Sequence, residues 1–568
     1  MTRTSFDLVS EPWIPVRWLD GRPDELSLRD VLARSSEIGG LRGELPTTTV
    51  AVLRLLLAVL HRGLDPTGRP IDRWARRWRA DTLPMDEIDA YLERYHDRFD
   101  LLHAERPFLQ VADLQTAKGT SGDLLPLIAD VPNGAQFFTT RAGRGVARLD
   151  YDEAARWVLH CHAYDPSGIK SGALGDPRVK GGKGYPIGTG WVGTIGSVFV
   201  EGRTLRETLL LNLVLQRRNG DPVQPSTDSA VWEGDPLASA PQALAPAVHL
   251  PKGPAELLTW PSRRIRLAHD GNAVTGALIS NGDRLEPRDQ FLEAMTAWRR
   301  STAQENKLKS AVPVYMPRQH DPARSVWRGL GTLLPASPTT SAADGQPSLP
   351  PLVLQWLFRI QGEDEDLLPA NYPLRTRAVG VTYGSNNSVI DEIFDDALMV
   401  NVVLLGEAGQ SLRNTAINAV SAADETATAV AGFAANLQAA RGNSDDESLS
   451  RARQTARERF FFSVDALYRS WLSTLTAIED AATALVDWHV ELKRAARAQE
   501  AQLLDDEGDA AWRGRDVRDR TGKTMRLDTA RASLFFEGSL RKALPLAFPA
   551  ASVPYPPAVQ QPTQDVSA

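Results

Sequence analysis

From Leu412 onward the chain places apolar residues at intervals of three and four: Ala416, Val420, Ala423, Ala427, Val430, Ala434 and Leu437. That spacing lines one face of an α-helix. It predicts a long amphipathic helix that stops at Gly442-Asn443, a pair suited to a C-terminal cap. A second stripe, Phe460, Val464, Leu467, Trp471 and Leu475, and a third, Ile478, Ala482, Leu485, His489 and Leu492, predict two more helices. The polar segment Asp505 to Lys523 reads as a loop before a fourth helix from about Asp528 to Ala543, closed by Pro545. Four helices with short or polar connections predict a four-helix bundle over 408–548. The Pro/Gln/Ala-rich residues 549–568 read as a disordered tail.

Residues 1–400 follow no single period. Phe6 to Trp18, followed by Asp20-Gly21, reads as a strand and turn, with Pro12 and Pro15 favouring an edge position. Ser27 to Arg34, Thr47 to Arg62, Tyr151 to His162 and Thr204 to Arg217 read as helices, the second with threonines available as N-cap. Thr339 to Pro351 reads as a flexible loop. The expected class is α+β: a large irregular mixed α/β N-terminal domain, then the bundle.

Length agrees with this division, because 568 residues exceed the roughly 250–300 at which a single core stops growing. A net charge of −7 argues against a protein that coats polyanions, so any nucleic-acid contact must be a local basic surface. The single cysteine, Cys161, excludes an intrachain disulfide. The first residues lack the apolar core of a signal peptide, and Val50 to Leu60 is too short to span a bilayer. A soluble cytoplasmic protein is expected.

Against that acidic background one stretch stands out. Asp165 to Gly190 is glycine-rich and carries Lys170, Arg178, Lys180 and Lys183; from Gly168 to Lys183 the one carboxylate is that of Asp176. Glycine lets backbone N–H groups approach a ligand and form anion-binding concavities. A phosphate-bearing partner fits; so does a solvated surface loop. Asn133 to Gly145 combines Phe137 and Phe138 with Arg141 and Arg144, suiting base stacking and phosphate contact, or a turn flanked by core aromatics. Arg299, Arg300, Lys307, Lys309, Arg318, Arg324 and Arg328 face only Glu305 and Asp321 in their segment. Tyr383 to Ser388 is a tight polar turn, read as opening a helix, whose Asn386 and Asn387 suit capping or contact with base edges.

Other candidates carry less. Gly188 to Gly193 matches G-x-G-x-x-G but lacks the strand–turn–helix context of a dinucleotide site. His160-Cys161-His162 has no second ligand cluster and suits a buried structural role. Glu363 to Asp366 reads as a solvated acidic run. No nucleophile–base spacing argues for catalysis.

Taken in order, SEPWIPV, ERPFLQV, QFFTTRAGRG, SGIKSG, LRETLLLN and YGSNNS, followed by four helices, resemble the large-subunit (CasA) family of type I-E CRISPR Cascade along nearly the whole chain. The resemblance implies a non-enzymatic protein without cofactor or metal. Such a protein binds double-stranded DNA, recognises the protospacer-adjacent motif (PAM), helps open the R-loop and helps recruit a helicase-nuclease. Implied partners are the guide RNA, the small CasB subunit, the backbone CasC, CasD and CasE, and the nuclease, with no membrane.

The resemblance also assigns residues. Phe138, Thr139, Thr140 and Arg141 fall at the guide- and PAM-proximal loop. Ser167, Gly168, Ile169, Lys170, Ser171 and Gly172 fall at the glycine loop that approaches the PAM minor groove, with Ser167 where relatives often carry glycine. Asn386 and Asn387 fall at the wedge, the second shorter than the glutamine of some relatives. Lys307 or Lys309 falls near a PAM-reading lysine. Lys180 and Lys183 are further candidates for phosphate contact, and the C-terminal helices for contact with the small subunits. Two rival readings remain: a metabolic enzyme using the glycine-lysine loop as a phosphate cradle, and a scaffold whose basic loops dock acidic proteins.

Overall fold

The computed structural model describes residues 5–131, 139, 141, 147–242, 249–335, 345–475, 480–518 and 524–548. The chain forms two compact units, Met1–Arg413 with Leu472–Ala477, and Asn414–Trp471 with Ile478–Ala568. The fold is mixed α and β, with the C-terminal helices packed together.

In the first unit the helix Pro46–Gly63 runs through the core, and every residue from Val50 to Leu60 is buried. Its N-cap is Leu45, and Pro46 supplies the first turn, where a missing N–H costs nothing. The threonines expected as caps are buried instead, and Thr47 Oγ1 lies 2.9 Å from His160 Nε2. Arg54 is buried in the same helix because Nη1 meets Glu293 Oε1 at 3.0 Å, and Trp191 Nε1 donates to the other carboxylate oxygen at 2.8 Å. A buried charge persists only with such partners.

The strand Ile14–Trp18 is shorter than expected and central rather than at an edge, between Pro23–Leu26 and Ile38–Leu41. Pro15 lies in this central strand with its carbonyl accepting from the Arg42 N–H, just past the end of the third strand. Ser27 caps the helix Leu28–Ala33, its hydroxyl accepting from the Asp30 N–H. The helix begun at Thr204 ends at Asn212, well before Arg217. Asn212 turns its amide onto Val200, accepting from its N–H at 3.0 Å and donating to its carbonyl at 2.7 Å. In the segment expected as a loop, Ser348–Leu349 pairs with Trp298–Arg300.

A long hairpin, Pro373–Tyr383 against Ile390–Asn401, carries Ser197–Glu201 on its other edge. The expectation of a helix opening at Ser388 is wrong. Ile390, Phe394, Leu398 and Val400 are buried from one side of a strand while Asp391 and Glu392 stay exposed.

In the second unit the stripe from Ala416 to Leu437 is buried along the helix Gln410–Arg441. The helix ends at Gly442, where Asn443 N–H reaches back to the Gln438 carbonyl at 3.1 Å. In the next two stripes Phe460, Val464, Leu475, His489 and Leu492 are buried as expected, and neighbours replace other positions. Phe460, Val464, Tyr468 and Leu472 are buried in Asp446–Thr474, whereas Leu467 is exposed. Ala484, Trp488, Leu492 and Ala496 are buried in Ala481–Asp505, whereas Ala482 is exposed. The Tyr468 hydroxyl donates to Ala416 O and Trp488 Nε1 to Ala419 O, both at 2.9 Å, so each of these buried aromatics has its polar atom paired. The segment expected as a loop after Asp505 holds a short helix, Asp509–Arg513, and a hairpin, Arg515–Arg518 with Thr524–Leu527. Asp528 then caps Thr529–Ala543. The tail 549–568 lies outside the described residues. Among the described residues no helix is long and apolar enough to cross a membrane.

Candidate nucleic-acid interface

The glycine-rich stretch leaves the C-terminus of the helix Tyr151–Tyr164 and comes back to it: Gly190 N–H donates to the Asp165 carbonyl at 2.9 Å. Between these points Lys170–Ser171 pairs with Lys183–Gly184. Lys180 and Lys183 exchange both backbone hydrogen bonds at 3.1 Å around Gly181 and Gly182, at φ of 58° and 72°. Two successive positive φ values make a tight turn of the primed type, open to glycine and closed to most side chains. The stretch is therefore a hairpin with a defined tip. Lys180 and Lys183 face each other across it, both exposed. Like charges opposed in this way repel, and an anion between them relieves the repulsion.

The other cations of the stretch are committed internally. Lys170 Nζ lies 2.6 Å from Asp165 Oδ2, and its side chain is 15% exposed. The same carboxylate oxygen accepts from Arg263 Nε. Arg178 forks onto Asp176, with Nη2–Oδ2 at 2.9 Å, and donates to the Gly282 carbonyl at 3.0 Å. Ser167 is buried, Gly168 is half-buried, and Ile169 projects, 59% exposed, beside exposed Ser171. Gly172 is buried against Gly182.

Asn386 and Asn387 occupy the exposed tip of the long hairpin, each at φ 55°. Asparagine tolerates this left-handed region better than most residues. The turn is closed by Gly384 N–H to Val389 O at 3.0 Å and Asn387 N–H to Gly384 O at 2.9 Å. Among the described residues neither asparagine amide takes a side-chain partner, so the caps expected of them are absent and both amides face solvent. The strand before the turn is anchored by Tyr383, whose hydroxyl donates to Tyr164 O at 2.7 Å.

Phe138 and Thr140 lie outside the described residues. Thr139 Oγ1 accepts from the Arg141 N–H at 3.1 Å. Arg141 is held between Asp130, at 2.9 Å, and Glu153. Its charge tethers this segment to the helix Tyr151–Tyr164 rather than facing solvent. Lys307 and Lys309 are exposed at the end of Thr302–Leu308, with Lys309 at φ 52° as its C-cap.

Two of the segments singled out in the sequence meet in one place. A cavity of about 380 Å³ is walled by Leu125 to Val131, which leads into the Phe138 segment, by Asp165, Pro166 and Lys170 at the root of the glycine hairpin, and by Ser388 to Ile390 beside the asparagine tip. The walls are mostly apolar. Lys307 and Lys309 do not line it. His160 and Cys161 reach its inner wall. Burial pushes the Cys161 thiol up and the His160 imidazole down to about 3; it pushes His162 down to about 4, where Nε2 sits 2.8 Å from Leu109 O. These neutral rings are structural. Among the described residues no cluster of three or more His, Cys, Asp or Glu side chains is arranged to hold a metal.

The G-x-G-x-x-G match has a different explanation from a nucleotide. Gly190 lies against the Ala163 carbonyl and Gly193 against the Tyr383 hydroxyl, so these glycines make room for the protein itself. Sequence reasoning missed Arg263 and the Tyr383–Tyr164 bond. Tyr383 stood in a motif already noticed, whereas Arg263 carried no signal.

Comparison with known proteins adds the following. The family model described as CRISPR-associated protein Cse1 matches residues 7–499. A CRISPR-associated protein CasA/Cse1 from Thermus thermophilus is 32% identical over 365 residues, 64% of this chain and 64% of that one, just under two thirds of its length. The crystal structure of Thermobifida fusca Cse1 is 43% identical, covering 96% of this chain and 99% of the other, with a TM-score of 0.85. A chain of a CRISPR RNA-guided surveillance complex shares the fold at 21% identity, with a TM-score of 0.63 over 88% of this chain and 99% of that one.

Proposed function

This chain belongs to the CRISPR-associated Cse1 family, the large subunit of type I-E Cascade, and on that premise we propose that it binds double-stranded DNA, reads the PAM and starts strand opening beside it. It does so as a non-catalytic subunit assembled with guide RNA, the other Cascade subunits and, later, the helicase-nuclease. The observation that carries this reading is one cavity walled by Leu125 to Val131, by the root of the glycine hairpin and by Ser388 to Ile390 beside the asparagine turn. Recognition and opening need those elements beside one another.

The residues divide the work by what they expose. Lys180 and Lys183 meet phosphates, a contact that fixes register without reading sequence. Gly168, Ile169 and Ser171 approach the minor groove, where readout is degenerate and several PAM sequences are tolerated; Ser167, Lys170 and Gly172 hold the hairpin that carries them. Asn386 and Asn387 push into the first base step. Phe138, Thr139, Thr140 and Arg141 meet the 5′ end of the guide, and Lys307 or Lys309 adds a cation on the duplex. Base pairing by the guide reads the remaining sequence, as in single-protein effectors. The acidic net charge limits indiscriminate binding. The helices of the second unit contact the small subunits.

The rival phosphate cradle fits less well. Lys170 and Arg178 spend their charges on Asp165 and Asp176, and the tip amides of Lys180 and Lys183 are bonded to each other's carbonyls. The test compares the guide-RNA complex assembled with and without this chain on duplexes differing only in the PAM. PAM-dependent binding is expected to vanish without the chain; equal PAM preference in both complexes overturns the proposal.

A further inference from the structure

We infer that Arg263 is the positioning residue of the glycine hairpin, holding both of its ends at one buried point. Arg263 opens the strand Arg263–His269 and is 1% exposed. Its Nε donates to the Asp165 carboxylate. Its Nη2 shares two hydrogens among the Asp165 carbonyl at 3.1 Å, the Pro166 carbonyl at 3.2 Å and the Gly188 carbonyl at 2.8 Å, and Nη1 donates to Ser262 O at 2.9 Å. Pro166 begins the excursion from the helix and Gly188 nearly ends it. One planar group thus staples the two strands of chain where they leave and re-enter the body.

The chemistry of the staple is specific to arginine. Buried carbonyls at a helix end need donors, and the first residues beyond Tyr164 have no helical partner for theirs. Guanidinium presents five donors in a rigid fork, while an ammonium gathers three on one atom. A lysine, with one nitrogen, cannot meet the carbonyls gathered at Nη2 while also holding the Asp165 carboxylate as Nε does and the Ser262 carbonyl as Nη1 does. Lys170, on the same carboxylate oxygen at 2.6 Å, ties the first strand of the hairpin into the staple as well. The tip bearing Lys180 and Lys183 is therefore presented in one orientation, fixed from a buried residue remote in sequence. What this orientation does for DNA rests on the function proposed above; the staple itself does not.

The experiment is limited trypsin digestion of the full chain, comparing parent with Arg263→Lys. Cleavage after Lys180 and Lys183 is expected to quicken about tenfold relative to cleavage after Lys307 and Lys309, which amounts to about 1.4 kcal/mol in local opening. A uniform acceleration at all four lysines, the mark of global destabilisation, overturns the inference, as does an unchanged rate at the hairpin. Hydrogen exchange on the parent tests it without a variant. The Gly190 amide should exchange as slowly as those at the end of the Tyr151–Tyr164 helix, and exchange as fast as Gly181 and Gly182 overturns the staple. In the guide-RNA complex Arg263→Lys should weaken binding to a PAM duplex; unchanged binding with accelerated cleavage overturns the positioning role. A parent complex with no PAM preference sinks the proposed function and leaves the digestion result standing.

Discussion

The Tyr383 hydroxyl donates a 2.7 Å hydrogen bond to the carbonyl of Tyr164, fastening the asparagine hairpin to the last residue of the helix from which the glycine hairpin departs. The two exposed tips, Asn386-Asn387 and Gly181-Gly182, are built on unrelated strands yet share that root. Tyr383→Phe removes the bond and leaves a buried carbonyl unpaired, so stability should fall by about 1–2 kcal/mol. A lowered urea midpoint with unchanged slope is the expected result.

The lysines should separate by partner. Lys180→Ala with Lys183→Ala leaves stability within about 0.5 kcal/mol, as for other surface changes. In the guide-RNA complex it should reduce the log–log salt slope of duplex binding by roughly 0.9 for each phosphate that is no longer neutralised. Lys170→Ala should do the reverse. It removes a cation from a buried carboxylate and costs about 2 kcal/mol, with the salt slope kept. Thermal melts and a salt series on both variants check this.

Asn386 and Asn387 both hold positive φ, so alanine there adds backbone strain of about 1 kcal/mol per residue, whereas glycine adds none. The informative variant is therefore Asn386→Gly with Asn387→Gly, which deletes both amides without straining the turn. Binding to a short PAM duplex should persist, R-loop formation on a paired target should slow, and a pre-melted bubble beside the PAM should restore the rate. If this double variant opens paired DNA at the parental rate, the wedge assignment ends.

Acid should destabilise the first unit through His160 and His162. Burial lowers their folded pKa values to about 3 and about 4, below the unfolded value near 6.5. Between those limits the unfolded chain binds more protons, so stability is full above pH 6.5 and is lost as pH falls. The slope is about 1.4 kcal/mol per pH unit for each histidine. Melting temperatures measured from pH 7 to 4.5 should fall less steeply for His162→Gln than for the parent.

What the sequence made legible was periodic. The stripe from Ala416 to Leu437 is legible because alanines and polar residues alternate cleanly at helical spacing. In the second stripe two positions slipped by one because adjacent residues, Leu467 with Tyr468 and Trp471 with Leu472, are all apolar, and only packing chooses between them. The strand after Ser388 resembled a helix start because its acidic residues fall outside any short-range pattern.

The charges of the candidate site were the least legible part. Counting cations ignored Asp165, which neutralises Lys170 across a turn, and Arg263, a distant residue that shares the same oxygen. Several arginines serve buried carbonyls rather than ligands: Arg206 those of Arg77 and Trp78, Arg413 those of Leu404 and Gly406. No local rule separates these from surface cations.

The shared root has a consequence for cooperativity. The last turn of the Tyr151–Tyr164 helix carries Tyr164 and leads directly to Asp165, so fraying of that one turn frees the Tyr383 anchor and the Asp165 anchor in a single event. Elements joined this way open as one foldon with one free energy. A mutation that loosens either tip at its base is then felt at the other, and the two hairpins drift out of register as a pair.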